Sequence, residues 1–420
     1  MTARRPAGRR ARPPRRPTGA GPLAGREIEL EVGPVAHGGH CVARFDGRVI
    51  FVRHALPGER VLARITEDTG GSYARADAVR VCRAGSDRVR PACPHAGPGR
   101  CGGCDFQHVR PAAQRDLKAA VVREQLARLA GLTDVPVAVE ELPGGPLGWR
   151  TRVQFAVDGE GRVGLRRHRS RQVEPVGHCP LATPGADALD ATRRTWPGAS
   201  VLSVTAATGA GQSVVVTPRD PRRRPSRQGD ATLAELAAGR EWRVSTGVFW
   251  QVHPLAASTL AACVLDLLGP AAGDVALDLY CGAGLFAGVL AEAVGVTGRV
   301  LAVESDAAAV ADARVNLSDY PWASVRRASV TPELLTGLSG SDPDLVVLDP
   351  PRSGAGKAVV AQVCRRRPRA VGYVACDPAA LARDLAEAAR HGYRLAGLRA
   401  FDLFPMTHHV ECVALLRPVD

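Results

Sequence analysis

Three residues in the C-terminal half stand where apolar runs stop or are interrupted: "LVVLDPPRSG" ends in Asp349, "YVACDPAALARDL" sets Cys376 after its run, and "HVECVALL" holds Glu411 within one. Cysteines inside helical runs, such as Cys263 and Cys364, read as small buried hydrophobes. Cys376 reads differently, because Asp377-Pro378 follows at once and places the thiol at a turn before a helix whose N-terminus would favour the nucleophilic thiolate. A carboxylate in an apolar strand is merely solvated if it faces outward. If it faces inward its pKa is raised, and it becomes a proton acceptor or donor. His408 and His409 lie beside Glu411 and are candidates for the same role.

Upstream, "VALDLYCGAGLFAGVLAEA" is a buried strand, an acid (Asp278), a glycine turn and a helix. Gly282 and Gly284 let the backbone turn tightly and approach a ligand. Glu304 ends the next strand in "VLAVESD", where a carboxylate meets the ribose hydroxyls of a nucleotide-like cofactor. The glycine spacing departs from G-x-G-x-x-G and no pyrophosphate site is evident, so S-adenosylmethionine suits this loop better than NAD.

These residues need a scaffold. From residue 246 to 420 the rhythm is strand, turn, helix, which predicts a Rossmann-like, doubly wound α/β domain whose ligands bind at the carboxyl edges of the strands. Residues 26–85 alternate in short runs broken by "HGG", "DG" and "LPGE", the pattern of a small OB-like β-barrel. Residues 86–245 read as a β-rich central domain interrupted by a helix over 111–131, which is expected to pack on the catalytic domain. Residues 1–25 carry seven arginines and no acid, the composition of a disordered tail. "PRDPRRRPSRQGD" reads as a solvated hairpin insertion.

"CPHAGPGRCGGCDFQH" supplies Cys93, Cys101 and Cys104, and "VGHCPL" supplies Cys179. Four such thiols signal a metal centre, and spacing alone does not separate zinc from iron–sulfur. Cys41 and Cys82 read as structural. Eleven cysteines with no export signal argue for reduced thiols and a cytoplasmic protein, and no apolar run is long enough to span a membrane. The net charge of +13 fits a polyanionic partner, RNA first. Nearly every cation is arginine, with Lys118 and Lys357 the two lysines, a usage that a GC-rich genome also produces.

Taken together, "DLYCGAG", "VESD", "LDPPRSG", "ACDPAALARDL" and "FDLFPMTHHVE" resemble, in order, the motifs of the RNA uracil-carbon-5 methyltransferase family. "GVFWQVHP" resembles its entry into the catalytic domain, and "GRVIFVRHALPGERV" its N-terminal TRAM barrel. The resemblance implies formation of 5-methyluridine from S-adenosylmethionine. Cys376 would add to carbon 6, and Glu411 would take the carbon-5 proton. The base would be flipped out of its stack to reach them. The implied cofactor-binding residues are Gln251, Tyr280, Leu285, Glu304 and Asp349, with Arg352 beside Asp349 orienting cofactor or uracil. Cys93, Cys101, Cys104 and Cys179 would hold a 4Fe-4S cluster in preference to zinc. A 23S ribosomal RNA substrate is favoured over transfer RNA, and a monomer suffices. Leu285 and Ser329 depart from the polar residues common in the family. The alternative is a non-catalytic RNA-binding protein of the same fold.

Overall fold

The computed structural model describes residues 21–187, 190–338 and 342–419, so most of the expected basic tail lies outside the described residues. The chain forms two compact units: residues up to 34 with 40–85, and residues 35–39 with 86–420.

The first unit holds β1 (Glu27–Glu31); β2 (Val35–Ala36) groups with the second unit. It continues with β3 (His40–Phe45), β4 (Arg48–Arg53), β5 (Arg60–Asp68) and β6 (Tyr73–Arg83), ordered β1-β5-β6-β4-β3. Strict inside–outside alternation in β1 is what one buried face demands. Gly33 donates to the Val42 carbonyl (2.7 Å) and Val42 to that of Pro34 (2.9 Å), which joins the first strand to the last and closes the sheet. A Cβ at Gly33 would come within 2.8 Å of that carbonyl oxygen. Residues 21–25, expected in the tail, fold with this unit instead. Leu23 is buried and donates to Asp68 Oδ2 (3.0 Å), and Gly25 donates to the Ile65 carbonyl (3.0 Å).

In the second unit α1 (Pro111–Gln125) starts on a proline and runs into a π-helical turn at Leu126–Ala130, ended by Gly131 at φ 70°. After β7 (Val139–Glu140) comes an antiparallel sheet. It contains β8 (Arg152–Val157), β9 (Val163–Arg166), β10 (Val173–Pro175), β11 (Ala199–Ala206), β12 (Gln212–Pro218) and β13 (Ser226–Gly229), with the short α2 (Pro184–Asp187) between β10 and β11. β13 is an exposed edge, and Arg222 in the loop before it pairs with Asp220. The hairpin of β14 (Thr232–Ala237) and β15 (Arg240–Ser245) sends Trp242 into the apolar cluster of the C-terminal layer, so that core begins before residue 246.

That layer runs α3 (Ala256–Leu268), β16 (Val275–Leu279), α4 (Leu285–Val294), β17 (Arg299–Glu304), α5 (Ala307–Asn316) and β18 (Ala323–Arg327). It continues α6 (Pro332–Thr336), β19 (Leu345–Leu348), α7 (Lys357–Arg365), β20 (Ala370–Ala375), α8 (Pro378–Arg390), β21 (Tyr393–Phe401) and β22 (Glu411–Pro418). The sheet order is β18-β17-β16-β19-β20-β22-β21-β7, with β22 antiparallel to both neighbours. Neighbouring residues of each strand serve opposite faces: Val347 joins Leu260 and Leu290, while Val346 joins Leu381 and, from the α1 region, Val122 and Leu126.

Candidate active site

The carboxyl edge of this sheet gathers the residues singled out by chemistry. β20 ends beside Cys376, and because β22 runs the other way, its start lies at the same edge: Ala375 pairs with Cys412, which brings Glu411 next to the thiol. β19 ends beside Asp349, whose N–H reaches the Leu279 carbonyl (3.3 Å) at the end of β16.

The glycine turn after β16 is held in left-handed conformations at Tyr280 (φ 67°), Gly282 (φ 54°) and Gly284 (φ 95°). Glu304 fixes it by accepting from Gly282 N (3.1 Å), Ser305 N (2.6 Å) and Asp306 N (2.8 Å). Asp278 is fully buried. Its Oδ2 accepts from Ala287 N (2.8 Å), while Oδ1 has no hydrogen-bond partner among the described residues. Burial, with added repulsion from Asp349 and Glu304, pushes Asp278 up to about 8. Asp349 is pushed up to about 7 by burial. Tyr280 rises to about 12 for the same reason, and Leu285 is buried at the start of α4. Gln251 is half-buried, and its neighbour Val252 is tied to the central sheet by Thr151 N and Oγ1 (both 2.9 Å).

The Cys376 thiol is pushed up to about 11, by burial first and then by Glu411, with Arg352 opposing. Glu411 is buried and held well above the usual carboxylate range by burial and then Asp349, again with Arg352 opposing. The sequence points to a helix end that favours the thiolate; here burial acts the other way and favours the thiol. At the start of α8 the Asp377 cap accepts from Ala380 N through Oδ1 (2.8 Å). His409 is pushed down to about 3 by burial, then by His408 and Arg352. His408 Nδ1 lies 2.6 Å from Asp105 Oδ2. A cavity of about 100 Å³ is lined by Cys376, Asp377, Arg352, Lys118, His408 and His409, among others.

Some of this machinery is not evident from sequence. Asp384 of α8 accepts through Oδ2 from Tyr373 Oη (2.5 Å), Ala355 N (2.8 Å) and Gly356 N (3.2 Å), which pins the loop carrying Asp349 and Arg352. Lys118, buried in α1, donates to Asp402 Oδ1 (2.5 Å) and the Phe404 carbonyl (3.1 Å). Its signal was composition: a lysine in a chain that otherwise uses arginine.

Cys93, Cys101, Cys104 and Cys179 come together. Cys101 is raised by burial and then by Cys179 and Cys93, and Cys104, pushed up to about 12, by burial and then by Cys179 and Cys101. Gly103 N lies 3.4 Å from Cys101 Sγ and Gln107 Nε2 3.5 Å from Cys104 Sγ. Among the described residues, no three His, Cys, Asp or Glu side chains are placed to hold a metal ion.

Residues 237–419 match the tRNA (Uracil-5-)-methyltransferase family, and residues 23–79 match the TRAM domain. A Streptomyces avermitilis protein described as an uncharacterized RNA methyltransferase is 51% identical over 429 residues, covering 94% of this chain and 99% of that one. A 23S rRNA (uracil(1939)-C(5))-methyltransferase RlmD of Alkalilimnicola ehrlichii is 32% identical over 468 residues, covering 97% and 98%. The crystal structure of Pyrococcus abyssi tRNA (uracil-54, C5)-methyltransferase with S-adenosyl-L-homocysteine shares the fold at a TM-score of 0.68 and 21% identity, covering 93% of this chain and 100% of that one.

Proposed function

This chain belongs to the RNA uracil-C5 methyltransferase family, with a TRAM domain ahead of the catalytic one, and we propose that it forms 5-methyluridine in 23S ribosomal RNA, in the cytoplasm, as a monomer. The observation that carries the reading is the β20–β22 register, which sets the Cys376 thiol beside the buried Glu411 carboxyl, with Arg352 acting on both. The relative that acts on 23S rRNA supports the substrate.

In this reading Cys376 gives up its proton to solvent and adds as the thiolate to carbon 6 of a flipped-out uracil; the C5=C6 electron pair moves onto the ring and makes carbon 5 an enolate carbon. S-adenosylmethionine, when bound, supplies the methyl group to carbon 5 on a positively charged sulfur. Glu411 then accepts the carbon-5 proton, carbon 5 and carbon 6 regain their double bond, and the Cys376 thiolate leaves. Asp278, with a buried oxygen lacking a partner among the described residues, and Glu304, at the edge of the glycine turn, fit a nucleoside cofactor. Gln251, Tyr280 and Asp349 complete the polar surround. Leu285 brings apolar contact only. Arg352 orients the uracil.

Cys93, Cys101, Cys104 and Cys179 would hold a 4Fe-4S cluster that ties the central sheet to the segment before α1. What supports a shared centre is the mutual influence of the four thiols: Cys179 and Cys93 act on Cys101, and Cys179 and Cys101 on Cys104.

The test is transfer of labelled methyl to unmodified 23S rRNA and, separately, to unmodified tRNA, followed by nucleoside analysis. Label in 5-methyluridine of 23S rRNA is expected, and label confined to tRNA would replace the substrate. RNA binding without label, unchanged in Cys376→Ala, would favour the non-catalytic reading.

A further inference from the structure

The loop that leads into Glu411 is gripped by residues far away in sequence. At its centre Met406 sits at φ 67°, a strained conformation for a non-glycine residue that persists only when its surroundings hold it. Gln114 Oε1 accepts from Met406 N (2.9 Å), while Gln114 Nε2 donates to the carbonyls of Val109 (2.8 Å) and Phe106 (3.2 Å). The Met406 carbonyl accepts from Asp105 N and Phe106 N, both at 3.0 Å. Lys118 holds the loop's entrance through Asp402 and Phe404, and Asp105 holds its exit through His408 N (3.2 Å) and Nδ1. Lys118, Gln114 and Asp402 are all buried. Buried charge and amide groups are costly unless paired, so an ionic grip here needs a purpose beyond filling space.

We propose that Gln114 and the Lys118–Asp402 pair are positioning residues that lock residues 402–409 and thereby aim Glu411 at the proton on carbon 5. The lock rests on the uracil methylation reading and deepens it. It acts on one step: the C5–H bond breaks, its proton goes to the Glu411 carboxylate, the C5=C6 bond re-forms from that electron pair, and the C6–S bond breaks to release the Cys376 thiolate. Addition of the thiol precedes this step and is made by Cys376 at the end of β20, whereas the hydrogen bonds of the grip to this loop end on Asp402, Phe404 and Met406.

The test compares the full-length wild type with Gln114→Met and with the paired variant Lys118→Met/Asp402→Leu, which removes both buried charges together. Single-turnover reactions with the RNA that accepts label are resolved on denaturing gels, where the Cys376–RNA adduct runs apart. Gln114→Met is expected to form the adduct within about twofold of the wild-type rate and to release it about tenfold to a hundredfold more slowly, the range for a misplaced catalytic group, and the paired variant, whose Lys118 also lines the Cys376 cavity, to slow release by more than it slows formation. Glu411→Gln marks the limit of slow release. Equal slowing of formation and release, or no change in either, overturns the proposal. If thermal melting shows the paired variant unfolded, Gln114→Met decides alone. Absence of any adduct in both wild type and Glu411→Gln sinks the uracil reading itself, and this proposal with it.

Discussion

Arg352→Met and Glu411→Gln should move the reactivity of Cys376 in opposite directions. The thiol sits at about 11, so at about pH 8 roughly one thousandth is thiolate, the form that reacts with alkylating agents. Arg352 draws the thiol down and Glu411 pushes it up. Charges this close shift a neighbour by roughly one to three units, and one unit is the fair expectation for a thiol partly open to solvent. Each unit is tenfold in thiolate at fixed pH. Alkylation of Cys376 by iodoacetamide, followed by mass spectrometry of its peptide, should therefore slow about tenfold in Arg352→Met and quicken in Glu411→Gln at pH values where the Glu411 carboxyl is ionised, by up to about tenfold. Movement of both variants in one direction would refute the electrostatic account of the site. So would wild-type alkylation as fast as that of an ordinary exposed thiol.

With RNA and methyl donor, Glu411→Gln should keep adduct formation and lose turnover by about 10²- to 10⁴-fold, the usual worth of a general base; turnover near wild type would remove Glu411 from that role. Gly354 has φ 87° and a Cβ there would lie 2.7 Å from Asp384 Oδ2, so Gly354→Ala should cost about 1–3 kcal/mol and loosen the loop under Arg352. An unchanged melting temperature would show the loop to be freer than this contact allows. Asp278 in the folded protein binds its proton more tightly than in the unfolded chain, so its stabilisation is complete below about pH 4 and is lost as pH rises through about 8. Ligand-free protein should thus weaken between about pH 6.5 and 8, above the range where His253 and His409, both lowered, act with the opposite sign. Asp278→Asn should flatten that slope in denaturant melts, and an identical slope would remove Asp278 as its source.

Much of the site was legible because its residues interrupt patterns. Cys376 and Glu411 each break an apolar run, and Asp278 and Glu304 each end one, so period-two reasoning places them at strand ends. Which strands become neighbours is a different matter. Nothing in "HVECVALL" says that β22 inserts antiparallel between β20 and β21, yet that insertion brings Glu411 to Cys376. The surroundings of the thiol were also illegible: Asp377-Pro378 points to a helix end that lowers a thiol pKa, but the burial that raises it comes from elements distant in sequence. Leu23 was lost to the composition of the tail around it, although one buried leucine and two backbone bonds suffice to fold residues 21–25. Trp242 read as a strand residue of the central segment, and its burial beside α3 and α4 is a tertiary fact.

The acids of the site share a problem that bears on the order of events. In the proposed reaction Glu411 must be ionised to accept the carbon-5 proton, yet burial and Asp349 favour its acid form. A cationic methyl donor, when bound, would favour the ionised form of Glu411, since an opposite charge nearby lowers a carboxyl pKa. That support ends when the methyl leaves and the sulfur becomes neutral. Glu411 is then a buried carboxylate with less to stabilise it, and so a stronger base, at the stage when the carbon-5 proton must go. The consequence is measurable without turnover. A cationic amine analogue of the donor, such as sinefungin, should quicken Cys376 alkylation more than neutral-sulfur S-adenosylhomocysteine at equal saturation. Equal effects of the two would leave the timing of proton removal to geometry alone.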